Sequence, residues 1–338
     1  MTLLRWHAES DVAVERALDL GRGALGAVGP ALSAAVVGAA LAGDARVIGA
    51  YQRREDALVT DAPVLRRETG GPAVVAGEGV LYLALALRHA SALMACPRDR
   101  ILNRNVRAFL SALRRFHGDA HYFGREWISL DRRPAGLVAW TRRPSGAVLL
   151  EAFFGAERSY AVSDEELAHP PSSPRMLGKA PITLREALSP LPSARELASA
   201  LAEACASMTP HDLEERAIAP VPGHARPMHP RMRWSRPREV PIGLVRAGLA
   251  MSARGVVEAA ALSGDFFQDA DAPERLEAAL VGGFATPERL RDALNATYGS
   301  HGVVIEGLRS LQPVLDAFIE VSGGDEEVSG GDEEAPPA

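Results

Sequence analysis

The chain has 338 residues, 47% of them hydrophobic and 24% charged, an ordinary balance for a globular protein with room for two domains. Its net charge of −6 comes from the last 18 residues, which hold six of the 43 acids and no base; the rest carries 37 acids against 37 bases. A neutral body has no overall field to draw nucleic acid or an anionic membrane, and two distant cysteines, Cys96 and Cys205, exclude a disulfide framework and fit reduced thiols in a cytoplasmic protein.

No signal-peptide pattern opens the chain. Val12–Leu20 places Val14, Leu18 and nearby alanines on one helical face. Gly23–Gly43 is uncharged, but its Ala/Gly content and Pro30 fit buried strand and turn better than a membrane span. Ala31–Val37 and Arg46–Tyr51 are apolar runs bounded by glycine and predict strands. Residues 66–82 follow, in which a charged edge runs into Gly70-Gly71 and then an apolar strand pair. A turn of this kind lets backbone amides approach an anion with arginines beside it, although a plain hairpin turn has the same pattern.

Leu102, Val106, Phe109, Leu110, Leu113 and Phe116 recur at helical spacing, with arginines on the other face. Trp127–Leu130, Leu137–Thr141 and Ala147–Phe154 predict a three-stranded meander with turns at Asp131–Gly136 and Arg142–Gly146. Thr183 with Glu186, and Ser193 with Glu196, fit capping boxes, the second opening a helix through Cys205. Residues 218–241 hold six prolines and five arginines and read as a linker. Beyond it, a hairpin around Ala253-Arg254-Gly255, short helices at Pro273–Leu280 and Pro287–Leu294, and a helix over Val304–Ile319 with a kink at Pro313 form a second unit. The tail, residues 320–338, repeats Val-Ser-Gly-Gly-Asp-Glu-Glu and reads as disordered.

The order of these features resembles the lipoate–protein ligase family. Arg66-Arg67-Glu68-Thr69-Gly70-Gly71-Pro72-Ala73-Val74 stands where that family has Arg-Arg-x-Ser-Gly-Gly-Gly-Ala-Val. Val47-Ile48-Gly49-Ala50-Tyr51-Gln52 is similar to its Val-Ile-Gly-x-x-Gln strand. Gly124-Arg125-Glu126-Trp127 falls at its Gly-Arg-Asn-Asp and Arg133-Pro134-Ala135-Gly136 at its Lys-Ile-Ser-Gly, while Ser263–Phe267 resembles part of its accessory domain. The resemblance runs from about Val12 to Phe318. It implies an α+β fold, a central mixed β-sheet flanked by helices of the biotin/lipoate ligase type, over residues 1–217, with a smaller α/β accessory domain over 242–319. It further implies ATP- and Mg2+-dependent conversion of lipoate, or a related acyl acid, to an acyl-adenylate. The acyl group then passes to a lysine on a lipoyl-type carrier domain of a 2-oxoacid dehydrogenase or glycine cleavage complex. A monomer is expected, with no nucleic acid or membrane partner.

Departures fall on the chemical positions. The third glycine is Pro72, which lacks an N–H; the family's lysine is Arg133, a planar fork rather than a point charge; its His-Gly-Thr becomes Leu149-Leu150-Glu151. Two readings follow. In a divergent ligase, Arg67, the Gly70 and Gly71 amides and Arg133 as the catalytic cation hold the phosphates, and Glu126 holds Mg2+. Arg66, Thr69, Gly79, Gly124, Arg125 and Gly136 complete the nucleotide and substrate site. In the alternative, the scaffold binds lipoate, an acylated carrier or a nucleotide without turnover. Lys179 is a candidate to replace the missing lysine, and Trp127 and Trp140 are candidates for core or pocket wall. Metal binding by His117 and His121 or by His224 and His229, and nucleic-acid binding by the linker arginines, are the weaker alternatives.

Overall fold

The computed structural model describes residues 2–124, 126–173, 175–223, 228–299 and 302–323. The chain opens with a strand, β1 (Thr2–Ala13), which passes directly into helix α1 (Val14–Ala27). The expected helix therefore starts later and runs further, so the uncharged stretch begins as helix before becoming β2 (Leu32–Ala42). β1 and β2 pair in parallel, as a strand–helix–strand unit requires.

A small sheet comes next. β3 (Asp44–Ile48) and, after one turn of helix α2 (Arg54–Ala57), β4 (Val64–Arg66) and β5 (Val74–Gly77) form it in the order β4-β3-β5. β6 (Val80–Leu87) is buried throughout and returns the chain to the main sheet. Helix α3 (Ile101–Arg114) buries Val106, Phe109 and Leu113 as its spacing predicts. β7 (Ala120–His121), β8 (Trp127–Leu130), β9 (Arg133–Arg142) and β10 (Val148–Gly155) then build the meander, paired antiparallel. The turn before β9 is tighter than expected: Asp131 and Arg132 alone take left-handed backbone, so Arg133 and Gly136 are strand residues.

Both capping boxes form. Thr183 opens α4 (Leu184–Ala187) and Ser193 opens α5 (Ala194–Met208), each hydroxyl accepting from the amide three residues on and each Glu reaching back. β11 (His211–Glu215) closes an eight-stranded mixed sheet in the order β11-β1-β2-β6-β10-β9-β8-β7. Its faces are covered by helices on both sides. α1 lies over the Tyr82–Ala84 face, where Gly21 touches the Tyr82 hydroxyl, while α5 lies over the Leu83 face, where Ala198 meets Gly38.

The segment read as a linker is not wholly irregular. β12 (Arg233–Trp234) and β13 (Arg238–Val240) line one edge of β14 (Gly243–Met251), whose other edge pairs with β15 (Val257–Gly264) in the expected hairpin. β16 (Phe267–Gln268), α6 (Ala272–Leu280), α7 (Pro287–Tyr298, capped by Thr286), β17 (Ile305–Glu306) and α8 (Gln312–Ser322) complete this lobe around its own core of Leu249, Phe266, Leu276 and Phe318. Pro313 does not kink a long helix; it sits in the first turn of α8, where its missing N–H costs nothing, and residues 304–311 are not helical. The helix also runs to Ser322, into the stretch read as tail; residues 324–338 lie outside the described residues. Both cysteines are free thiols, Cys205 buried and Cys96 partly so.

Candidate functional site

The Gly70-Gly71 turn leaves β4 and enters β5 over the Tyr82 face of the main sheet, and it is buried. Arg67 lies beneath it, 1% exposed. Its guanidinium donates to Val47 O (3.2 Å), Gly70 O (2.5 Å) and Pro72 O (2.9 Å), so it serves as an internal frame for the turn's own carbonyls. Burial pulls its pKa down, and the nearby Glu151 carboxylate opposes that shift. Glu151 is fully buried, accepting from the Thr69 amide (3.0 Å) and the Tyr82 hydroxyl (2.8 Å). In the sequence it registers only as a departure from the family's pattern, yet it fixes the turn to the main sheet. Arg66 also faces inward, donating to Gly49 O (2.9 Å), Ala50 O (3.1 Å) and Gln52 O.

The C-terminal lobe covers the turn. The Gly71 amide donates to Phe266 O at 3.0 Å, the Phe267 ring packs on Gly71 (φ +89°), and a side chain at Gly70 would strike the Phe266 carbonyl. Tyr51 stacks on Phe266 with ring centroids 5.4 Å apart. Polar contacts also lock the lobe in place, among them Gln52 to Asp265 (2.5 Å), the Arg53 amide to Ser263 Oγ (3.1 Å), and Arg142 to both Asp269 oxygens (2.8 and 2.6 Å).

Beside this filled turn lies a cavity of about 680 Å3 between body and lobe. Its body wall includes Pro72, Ala73 and Val74 from one family-matching stretch, Glu126 and Trp127 from a second, and Leu137, next to a third; Ile242, Leu244 and Asp265 face them from the lobe. Asp265 accepts from the Leu244 amide (2.8 Å), and burial pushes its carboxyl up to about 6.

Of the carried-over side chains, Glu126 alone lines this cavity among the described residues. Arg133 points elsewhere, donating to Ala180 O (3.2 Å) and Pro181 O (2.6 Å) with Glu186 3.7 Å away. Thr69 is buried beside Arg67; Gly79 and Gly124 are left-handed turn residues; Gly136 sits in β9 against the Phe154 ring. Arg125 lies outside the described residues, as do His224 and Arg226. Lys179 donates to Arg132 O (3.0 Å) and is not a wall residue. Trp127 is cavity wall, and Trp140 is core, its Nε1 donating to Glu306 (2.9 Å), whose carboxyl burial raises to about 7. Among the described residues no group of three or more His, Cys, Asp or Glu side chains could hold a metal ion.

No family model and no curated protein sequence matches this chain. Solved structures do. P. falciparum LipL1 in complex with lipoate is similar over 93% of this chain and 97% of its own, with 14% identity and a TM-score of 0.65. A bipartite lipoate protein ligase from Thermoplasma acidophilum, described with its E2 lipoyl domain, is similar over 65% of this chain and 88% of its own, with 17% identity and a TM-score of 0.53. A lipoate-protein ligase A bound with ATP matches 65% of this chain and 90% of its own, with 16% identity and a TM-score of 0.50. At these identities the shared property is the path of the backbone, and it extends through the lobe as well as the body. This chain therefore has the fold of the lipoate–protein ligases, central mixed sheet and C-terminal lobe together.

Proposed function

We propose that this protein binds lipoate or a related acyl acid in the cavity between body and lobe, and does not form an acyl-adenylate there. One observation carries the reading: the Gly71 amide, a phosphate donor in the ligase reading, is given to Phe266 O, and the turn is closed over by Phe267. Adenylation needs preorganised donors aimed at the phosphates. Arg67 spends its donors on Val47, Gly70 and Pro72, and Arg133 spends its own on the 180–181 backbone. On this reading Arg66, Arg67, the Gly71 amide and Arg133 are committed to protein partners, which leaves Glu126 as the carried-over side chain on the cavity wall among the described residues. The cavity itself, bounded by Trp127, Leu137, Tyr160 and Leu244, has the size and apolar walls that a medium-chain acid needs. On this reading residues 1–217 are the ligase-type domain, 242–319 the accessory domain, and the protein is a cytoplasmic monomer. No helix among the described residues is long and apolar enough to cross a membrane.

One observation favours the other reading, an active ligase that transfers the acyl group to a lipoyl-type carrier domain. Residues of four motif-matching stretches, among them Gln52, Ala73, Glu126 and Asp265, line the one cavity, as a retained active site would require, although none of Arg133–Gly136 does. Lipoate-dependent ATP–pyrophosphate exchange with Mg2+ separates the two. Absence of exchange alongside lipoate binding measured by calorimetry supports the binder. Exchange in the wild type that disappears in Arg133→Ala overturns it in favour of the ligase.

A further inference from the structure

The four arginines on the cavity wall are not equivalent. Arg53 is paired with Glu55 and, at 3.3 Å, with Asp56, and its guanidinium lies 4.4 Å from the Trp234 ring centre. Arg246 also pairs with Asp56 and donates to Ser235 O at 2.6 Å. Arg175 donates to Val162 O at 2.6 Å, with Asp164 3.6 Å away. Arg309, between β17 and α8, is exposed and has no ion pair or hydrogen bond among the described residues. The wall's acids are spent as well. Asp56 serves two arginines, Glu239 accepts from the Ser172 amide and hydroxyl (both 2.6 Å), Asp265 holds Gln52 and the Leu244 amide, and Glu126 is itself engaged.

We infer that Arg309 anchors the carboxylate of the bound acid and makes the cavity selective for a free acid over its amide or ester. This deepens the acyl-acid reading and rests on it. A guanidinium offers a carboxylate two parallel donors, a geometry that a neutral amide cannot match. With the carboxylate at Arg309, on the exposed side of the cavity, the alkyl chain lies inward along Trp127, Leu137 and Leu244. The preferred ligand is therefore the unattached acid, and an acyl group already amide-linked to a carrier lysine is disfavoured.

The test compares octanoate with octanamide, two ligands of nearly equal shape, on the full chain. Binding is read by calorimetry and by intrinsic tryptophan fluorescence. The wild type is expected to bind octanoate about tenfold tighter than octanamide, the scale of one charged hydrogen bond. Arg309→Ala removes that preference by weakening octanoate alone, and Arg309→Lys restores part of it. Because Arg309 is exposed, the variants should melt with the wild type. Two failures are distinguishable. If both ligands bind and Arg309→Ala leaves their affinity ratio unchanged, the anchor is refuted and the acyl-acid reading stands. If neither ligand nor lipoate binds the wild type, both fall.

Discussion

The Gly70-Gly71 turn and the cavity beside it share a stretch of chain: the motif that makes the turn continues through Pro72, Ala73 and Val74 into the cavity wall. Their fates differ. In the turn, the Gly71 amide and the Arg67 guanidinium have protein partners, the first from the lobe and the second from the body. In the cavity, space remains and one guanidinium has no partner among the described residues. The turn keeps the letters of the family motif with its Gly71 amide and Arg67 guanidinium committed to protein partners, while the cavity keeps a binding shape without that motif's arginines. Resemblance in sequence and capacity for chemistry thus separate within ten residues.

The comparison can be broken first at Arg67. If its role is to frame the turn, Arg67→Met leaves three buried carbonyls without their donor and removes the positive charge nearby from the buried Glu151, and should cost about 4 kcal/mol of stability, read from the urea midpoint. Adding Glu151→Met should recover part of that loss. A variant that stays as stable as the wild type would mean Arg67 is free to serve a ligand after all. A sharper test of the lobe's seat is its pH dependence. The Asp265 carboxyl sits at about 6 in the folded chain, against about 3.9 unfolded, so folding favours its protonated form. Its contribution is complete below pH ~4 and is lost as pH rises through about 6, on the order of 2 kcal/mol. Asp265→Asn should start less stable, because Gln52 then faces an amide, but its stability relative to the wild type should rise between pH 4 and 6 and level off above. A flat difference across that range would contradict the assignment. The smallest effect belongs to Arg133→Ala. It loses two hydrogen bonds to a surface loop, should cost less than about 1 kcal/mol in thermal melting, and should leave octanoate affinity unchanged.

Local chemistry was readable in the amino-acid sequence. The capping boxes at Thr183 and Ser193, the helical stripe through Phe109, the meander and the hairpin around Arg254 all depend on residues close in the chain, and the structure contains each of them. What escaped depends on distant partners. β1 is mostly half-buried, without clean alternation, and is held by β2 and by β11, about two hundred residues away. Trp234 and Val240 become strand only because β14 offers them an edge. The site follows the same rule. Motif order located the cavity through Ala73 and Trp127, but that the Gly71 amide was already spent depended on Phe266, 195 positions beyond Gly71 in the numbering.

The salt bridge between Arg142 and Asp269, together with the Gln52–Asp265 contact and the Phe266 carbonyl on Gly71, has a mechanical consequence. The covalent tether between the halves is not what keeps them together. A protease that clips the exposed Arg231 would leave two fragments travelling through a sizing column as a single particle, parting only in denaturant.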